Sequence, residues 1–207
     1  MYLLQALIQD DFWNLLRPID LKILTVINQQ GSNDFLDMVF SHVRETLFWL
    51  PLYLFLFVFV IQNFRTRGAW WVLGFLLVAS LSDIISSHFV KQIIFRLRPC
   101  QDESVSGLIR FFVNYCPDNS SFTSSHATTH FAQAMFFYLT LQKTSKWWSI
   151  AFIWAFVIAY GQVYVGVHYP SDVLFGAILG CLIGWGVSIV FNKQVGMLCL
   201  DKQERND

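Results

Sequence analysis

The chain has 207 residues, of which 55% are hydrophobic and only 14% are charged, and its formal net charge at pH 7 is zero. A typical soluble domain carries about 25% charged residues, so this composition excludes an ordinary soluble domain, and the neutral total gives no indication of a nucleic-acid partner. The charges cluster at the ends of long uncharged stretches, which predicts an all-α integral membrane protein built as a helical bundle.

The first segment, residues 1–46, mixes apolar residues with seven charges before residue 38. It contains no uncharged run of the roughly 20 residues needed to cross about 30 Å of hydrocarbon. Amphipathic patterns over 19–27 and 35–43, separated by a turn at 29–33, predict helices that lie in the membrane interface. His42 and Arg44 fall on the second of these helices and are assigned no function.

The next segment, residues 47–192, is predicted to form the transmembrane core, and residues 193–207 a cytoplasmic tail. Five apolar spans are expected in it, over residues 47–64, 69–90, 125–142, 147–165 and 173–191.

Basic turns after the first and third spans, together with the tail, fall on one side of this topology, which the positive-inside rule makes cytoplasmic. Loops 92–124 and 166–172 then share the opposite face, which we expect to be the periplasmic or exterior face of a bacterial inner membrane. Lys91, Arg96, Arg98 and Arg110 lie on that face against the rule. They indicate either an anionic ligand or a misplaced span.

Residues Thr123 to His126 open the third span after a polar, turn-rich loop. Ser and Thr in this position are helix N-cap residues, and a helix that begins here directs free amides and the positive end of its dipole at whatever lies above it. That arrangement suits a phosphate, and His126 in the same turn can give or take a proton. The alternative is a capped helix with a surface histidine.

Lys91 and Arg98 are separated by two helical turns, so they share one face if the second span continues to Pro99. Such a pair can hold one phosphate from two directions. The alternative is that the two side chains anchor the helix to lipid headgroups.

His168 and Asp172 are four residues apart, and Pro170 suits the first turn of the fifth span. A carboxylate beside an imidazole fixes its tautomer and stabilises its cation, so that the histidine can act as a nucleophile or a base. Alternatively, Asp172 only caps the span.

The three motifs together resemble the type 2 phosphatidic acid phosphatase family, which shares its core with vanadium haloperoxidases. The signatures of that family read K-x6-R-P, P-S-G-H and S-R-x5-H-x3-D. Here they stand in the same order as Lys91-x6-Arg98-Pro99, Thr123-Ser124-Ser125-His126 and Gly161-Gln162-x5-His168-x3-Asp172.

The resemblance implies a phosphohistidine mechanism without a metal or other cofactor. His168 would attack phosphorus while Asp172 orients it, and His126 would protonate the leaving oxygen and then activate water. The phosphoryl oxygens would be held by a set of donors that comprises Lys91, Arg98, Ser124, Ser125 and Gln162.

The implied substrate is a phosphomonoester or pyrophosphate of a membrane lipid, because the site lies at headgroup level. Undecaprenyl pyrophosphate, phosphatidylglycerol phosphate, phosphatidic acid and the phosphate of lipid A all fit, and nothing in the sequence separates them. Vanadate is expected to inhibit as a phosphate mimic.

Gln162 departs from the family pattern, because the family has an arginine there that binds phosphate. Glutamine keeps hydrogen-bonding capacity but loses the charge, and removal of such a donor typically costs about a hundredfold in rate. Arg96 and Arg110 are candidates to replace the charge. A lipid phosphotransferase and a catalytically impaired lipid-phosphate binder are therefore the alternatives to a phosphatase.

Cysteines flank the outer loop at Cys100 and Cys116. They form a disulfide if the loop faces an oxidising compartment, and otherwise remain two free thiols.

Overall fold

The computed structural model describes residues 2–111, 113 and 115–199 of the chain. All regular structure in these residues is helical, which confirms the predicted all-α class. The α-helices are α1 (Tyr2–Thr25), α2 (Asp34–Val43), α3 (Leu50–Asp83), α4 (Lys91–Ile93), α5 (Glu103–Ser106), α6 (Ser125–Leu141), α7 (Ile150–Tyr164) and α8 (Pro170–Gln194). Wider π-helical turns continue α1 over Val26–Gln30 and α3 over Ile84–Val90, and 3-10 turns precede α3 and α7 over Thr46–Trp49 and Lys146–Ser149.

Helix α3 is a hairpin of two helical arms rather than one rod. Its backbone leaves the helical region at Arg65, with φ 50° and ψ −123°, and the ring of Phe75 lies 6.1 Å from that of Tyr53. In a straight helix these two residues would be about 33 Å apart. The arms meet closely at Gly68, where an added Cβ would lie 2.3 Å from the carbonyl oxygen of Val60. The two arms correspond to the first and second predicted spans.

Among the described residues, three helical stretches are long and apolar enough to cross a membrane, over Thr46–Ile93, Lys146–Tyr164 and Pro170–Gln194. The first contains the α3 hairpin and therefore two of the predicted spans. The third predicted span is α6, whose 17 residues measure about 25 Å. Together these elements are the five helical segments expected from the sequence.

Helix α6 lies at the centre of the bundle, against α3, α7 and α8. Its contact with α8 is the tightest, because glycines on α8 replace side chains at the crossing. An added Cβ would lie 2.2 Å from the carbonyl oxygen of Thr128 at Gly180 and 2.2 Å from that of Ala132 at Gly184. This close packing holds the N-terminal ends of α6 and α8 side by side.

The N-terminal segment packs against the end of the bundle that carries the loop between α4 and α6. Helix α1 is longer than the predicted helix over 19–27, whereas α2 closely matches the one predicted over 35–43. Asn28 is buried, and its side-chain amide donates to the carbonyl oxygens of Tyr164 and Arg110, both at 2.7 Å. It also accepts from the Arg110 amide at 2.6 Å. This one side chain thus ties the segment to the outer loop and to the end of α7.

The outer loop between α4 and α6 is mostly irregular and contains only the short helix α5. A disulfide joins Cys100 to Cys116 across it, which is the first of the two states considered for these cysteines. Cys181 and Cys199 are free thiols. The disulfide connects the segment that carries Arg98 to the segment that leads into α6.

Candidate active site

The N-terminus of α6 begins as its sequence predicts. Ser124 is the N-cap, and its hydroxyl accepts a hydrogen bond from the amide of Ala127 at 3.4 Å. The hydroxyl of Ser125 lies 2.9 Å from that of Ser87, which in turn donates to Asp83 at 2.9 Å. The first turn of α6 therefore presents a buried cap and a hydroxyl already oriented by a neighbouring helix.

Arg98 faces the imidazole of His168. Its Nη1 lies 3.0 Å from Nε2 of His168 and also donates to the Val167 carbonyl at 2.9 Å. Arginine can only donate, so Nε2 is the acceptor and the ring proton is on Nδ1. The guanidinium is fixed from its other side by Asn119, which accepts at 3.0 Å through its backbone and at 2.6 Å through its side chain. The geometry therefore presents an unprotonated Nε2 to a cation.

Asp172 lies beside His168, but the two are joined through a hydroxyl. The separation of Nδ1 and Oδ2 is 3.7 Å, longer than a hydrogen bond. Ser121 donates to Asp172, and its oxygen lies 3.3 Å from Nδ1 of His168. Asp172 also accepts from the amide of Tyr169 at 2.9 Å, so it caps α8 as well as orienting the histidine. Asp172 is therefore found both beside the histidine and at the cap of α8, the two placements considered for it.

Arg96 is engaged by two buried carboxylates. It donates to Asp172 at 2.6 Å and to Asp20 of α1 at 2.6 Å. The ring centroids of Trp13 and Tyr169 lie 4.4 Å and 4.1 Å from its guanidinium carbon. Arg96 supports Asp172 and is not placed to replace the charge missing at residue 162.

Arg110, the other candidate for that replacement, is half-exposed and lies against α2. Its guanidinium donates to Asp37 at 2.9 Å and to the hydroxyl of Ser32. These contacts use the Arg110 guanidinium to hold the N-terminal segment against the loop, away from residue 162.

The predicted helical alignment of Lys91 and Arg98 is wrong. Helix α4 ends at Ile93, and Ile94 is extended with φ −116° and ψ 110°. Branched and aromatic residues favour extended backbone after Ile93, and the proline at 99 disfavours a helical Arg98. The loop nevertheless brings both cations to one place, since the charges of both act on His168.

Burial is the main cause of the ionisation properties of this pair. It lowers the pKa of His168 to about 3 and that of Arg98 to about 10. At neutral pH the imidazole is therefore uncharged and the guanidinium remains charged. An uncharged imidazole is the form that a nucleophilic histidine requires.

His126 is half-buried on the first turn of α6, at a cavity of about 480 Å³ between α3 and α6. The charges of Arg44, Lys91 and Arg98 act on its ring. His130, one turn further, packs edge-on against Trp154 at 4.9 Å, as expected for a packing residue.

Gln162 is buried at the end of α7 and its Nε2 has no hydrogen-bond partner. The backbone carbonyl oxygen of Gln162 accepts hydrogen bonds from the backbone amides of Val167 and His168 at 3.2 Å and 3.3 Å. The residue thus shapes the turn that carries His168. A Cβ added to the preceding Gly161 would lie 3.2 Å from Cβ of Arg44. The C-terminal end of α2, where Arg44 lies, therefore packs against this turn.

Three residues of the site could not be recognised from the sequence. Ser121 lies in a polar loop without a motif, Asp20 is one of several acids in the first segment, and Arg44 ends an amphipathic helix. Each acts through contacts distant in sequence, and none stands at a spacing that indicates its partner. Among the residues that the structure describes, no three His, Cys, Asp or Glu side chains are grouped to hold a metal.

Comparison with known proteins identifies the family. The sequence model of the PAP2 superfamily matches residues 68–195. A lipid A 4'-phosphatase of Bacteroides thetaiotaomicron is 30% identical over 90% of this chain and 83% of its own. An undecaprenyl-diphosphatase of Sulfolobus acidocaldarius is 27% identical over 81% and 75%. The chain therefore belongs to the PAP2 superfamily.

A solved structure agrees with the fold. The crystal structure of a transmembrane PAP2-type phosphatidylglycerolphosphate phosphatase from Bacillus subtilis superposes with a TM-score of 0.68 at 24% identity. The likeness covers 93% of this chain and 94% of that one. The helical architecture described above is therefore the membrane-integral architecture of the superfamily.

Proposed function

We propose that this chain, a membrane lipid phosphatase of the PAP2 superfamily, works through a phosphohistidine on His168. One observation carries the proposal. The unprotonated Nε2 faces the Arg98 guanidinium at 3.0 Å, while the opposite nitrogen is held through Ser121 to Asp172. A nucleophile and a cation that can hold a phosphoryl group are thus in one place.

In the first step Nε2 of His168 forms a bond to phosphorus as the bond from phosphorus to the leaving oxygen breaks. His126 gives its proton to that oxygen. Arg98 transfers its hydrogen bond from Nε2 to a phosphoryl oxygen, and Lys91 and the α6 N-terminus with Ser124 hold the others. Asp172 stabilises the cationic ring that results.

In the second step His126 takes a proton from water, whose oxygen attacks phosphorus. The phosphorus–nitrogen bond breaks, inorganic phosphate leaves, and His168 returns to its neutral form. Phosphoryl transfer requires mainly positioning and charge stabilisation, which these side chains supply, so we expect no metal requirement. We expect vanadate to inhibit by occupying the same donors.

The substrate we propose is a phosphomonoester or diphosphate of a membrane lipid. The cavity beside His126 lies between α3 and α6, and one part of its lining is apolar, with Tyr53, Phe57 and Phe75 among the residues. Such a groove suits a hydrocarbon chain next to a phosphate site. The lipid A 4'-phosphatase and undecaprenyl-diphosphatase relatives make these two lipid classes the first to test.

We further propose that the site faces the periplasm or cell exterior of an inner membrane. The basic turns at Arg65–Arg67 and Lys143–Lys146 support this orientation through the positive-inside rule. The first segment then lies along the outer interface, and residues 193–207, of which 200–207 lie outside the described residues, form a cytoplasmic tail.

The test is release of inorganic phosphate by the detergent-purified protein from lipid A, undecaprenyl pyrophosphate, phosphatidylglycerol phosphate and phosphatidic acid. Wild type should release phosphate from at least one, and His168→Ala should lower the rate by at least a thousandfold. Donor loss without free phosphate would instead indicate transfer to another lipid. Binding without turnover in either protein would indicate a lipid-phosphate binder.

A further inference from the structure

Arg44, at the end of α2, is a buried cation whose hydrogen bonding is incomplete. The residue is 7% exposed, and its Nε has no hydrogen-bond partner. Its Nη2 lies 2.6 Å from the carboxylate of Glu45, whose side chain is 50% exposed. A buried donor without an acceptor is costly in free energy. The arrangement therefore leaves Arg44 able to accept another anion as a partner.

The position of Arg44 is set by the small residue at 161. A Cβ added to Gly161 would lie 3.2 Å from Cβ and 3.9 Å from Cα of Arg44. The absence of a side chain on Gly161 thus lets the backbone of residue 44 approach the turn that begins at Gln162. Nε2 of Gln162 is also buried without a partner. Two buried donors without partners, Nε of Arg44 and Nε2 of Gln162, therefore come from segments that pack against each other.

The charge of Arg44 reaches the reaction centre. Three cations act on the His126 ring, and Arg44 acts more strongly than Lys91 or Arg98. The other two are the residues assigned above to the phosphoryl oxygens. Arg44 thus belongs to the same electrostatic environment, although it comes from a distant part of the chain.

We propose that Arg44 is a substrate-binding residue that holds a phosphoryl oxygen in place of the arginine missing at position 162. Gln162 contributes a neutral amide donor beside it. When substrate binds, the guanidinium exchanges the carboxylate of Glu45 for the phosphoryl group, and Glu45 returns to water. This assignment rests on the phosphatase function proposed above.

The experiment is a double-mutant cycle on kcat/KM, with the best lipid phosphate from the panel as substrate. Arg44→Gln should lower kcat/KM about a hundredfold, and Arg44→Lys at least tenfold, because lysine lacks the planar fork. Gln162→Arg alone should not raise activity, since two guanidinium groups would compete for one space. In Arg44→Gln, however, Gln162→Arg should restore at least tenfold.

Two further variants separate binding from packing. If Arg44 served only to hold Glu45, Glu45→Gln would reproduce the loss seen in Arg44→Gln, whereas we expect it to keep full activity or lower KM. Arg110→Gln removes an outer-face arginine that contacts Asp37 and should change kcat/KM by less than about threefold. The vanadate concentration for half-inhibition should rise at least tenfold in Arg44→Gln.

The outcomes distinguish this inference from the function on which it rests. If wild type is as inactive as His168→Ala, the phosphatase proposal fails. If wild type is active and Arg44→Gln or Arg44→Lys retains that activity, only the Arg44 assignment is overturned. The lysine variant keeps the buried charge and stem, so it decides the matter if Arg44→Gln does not fold. Loss without rescue by Gln162→Arg, at unchanged vanadate inhibition, also contradicts the assignment.

Discussion

At His168, one ring nitrogen faces the Arg98 guanidinium and the other faces the hydroxyl of Ser121. A buried imidazole beside a cation is unfavourable to protonate, even with a carboxylate nearby. The carboxylate of Asp172 is meanwhile shared among Ser121, Arg96 and the α8 cap. These contacts therefore keep the His168 imidazole neutral and the Asp172 carboxylate charged.

This arrangement predicts an acid sensitivity of stability. The pKa of His168 falls from 6.5 to about 3 on folding, chiefly through burial, so below pH 6.5 the unfolded chain binds a proton that the folded chain refuses. Stability is therefore lost as pH falls from 6.5 toward 3, by about 1.4 kcal/mol per pH unit. When the pH is lowered from 7.5 to 4.5, the free energy of unfolding in detergent should fall by about 2–3 kcal/mol more for wild type than for His168→Asn. Parallel pH profiles would contradict the buried, neutral histidine.

Helix α1 supplies Asp20, which is 2% exposed and bonds both Arg96 and Ser171 of α8. Its carboxylate shares the guanidinium of Arg96 with Asp172. The first helix is thus joined to the carboxylate of Asp172 by a buried chain of charges. Such a chain resists loss of any one member, because the remaining charges are left without a partner.

Asp20→Asn should therefore destabilise the protein by about 3–5 kcal/mol and lower phosphate release with it. The exposed Asp118 provides the matched control, and Asp118→Asn should stay within about 0.5 kcal/mol of wild type. Thermal unfolding in one detergent measures both. An Asp20→Asn protein of unchanged stability would show that α1 is not fastened to the site in this way.

The crossing of α6 and α8 relates packing to the site, because Ser124 and Asp172 begin these helices and are joined by a backbone hydrogen bond of 3.2 Å. Gly180→Ala places a methyl group 2.2 Å from the Thr128 carbonyl oxygen and must separate the helices, at about 1–3 kcal/mol. Gly186→Ala on the same helix meets nothing within 4 Å and should be neutral or stabilising. Equal unfolding temperatures for the two variants would rule out this tight crossing.

Across the whole molecule, what the sequence predicted well was local. Five apolar segments, the Ser124 cap and the His168–Asp172 pair all follow from periodicity or from spacings within one helical turn. The parts it missed depend on tertiary contacts, as with Ser121 beside His168 and Arg44 beside Gly161. The helical alignment of Lys91 with Arg98 was wrong because the loop bends after Ile93.

The proposed orientation predicts opposite accessibility for two exposed positions. Lys143 lies in the turn after α6, and Asp118 lies in the outer loop. With Cys181 and Cys199 replaced by alanine and Cys100 and Cys116 held in their disulfide, the one free thiol of Asp118→Cys should react with a membrane-impermeant maleimide in intact bacterial cells, whereas that of Lys143→Cys should react only after lysis. The reverse pattern would place the site on the cytoplasmic side.

The central claim is that His168 carries the phosphoryl group, and the most direct measurement is to trap it there. Purified protein would be mixed with its best lipid phosphate, quenched in base within the first turnovers and digested for mass spectrometry. We predict one added phosphoryl group on the peptide that contains His168, and none on the same peptide of His168→Ala. Steady phosphate release by a His168→Ala protein, with no phosphorylated histidine in wild type, would contradict the account.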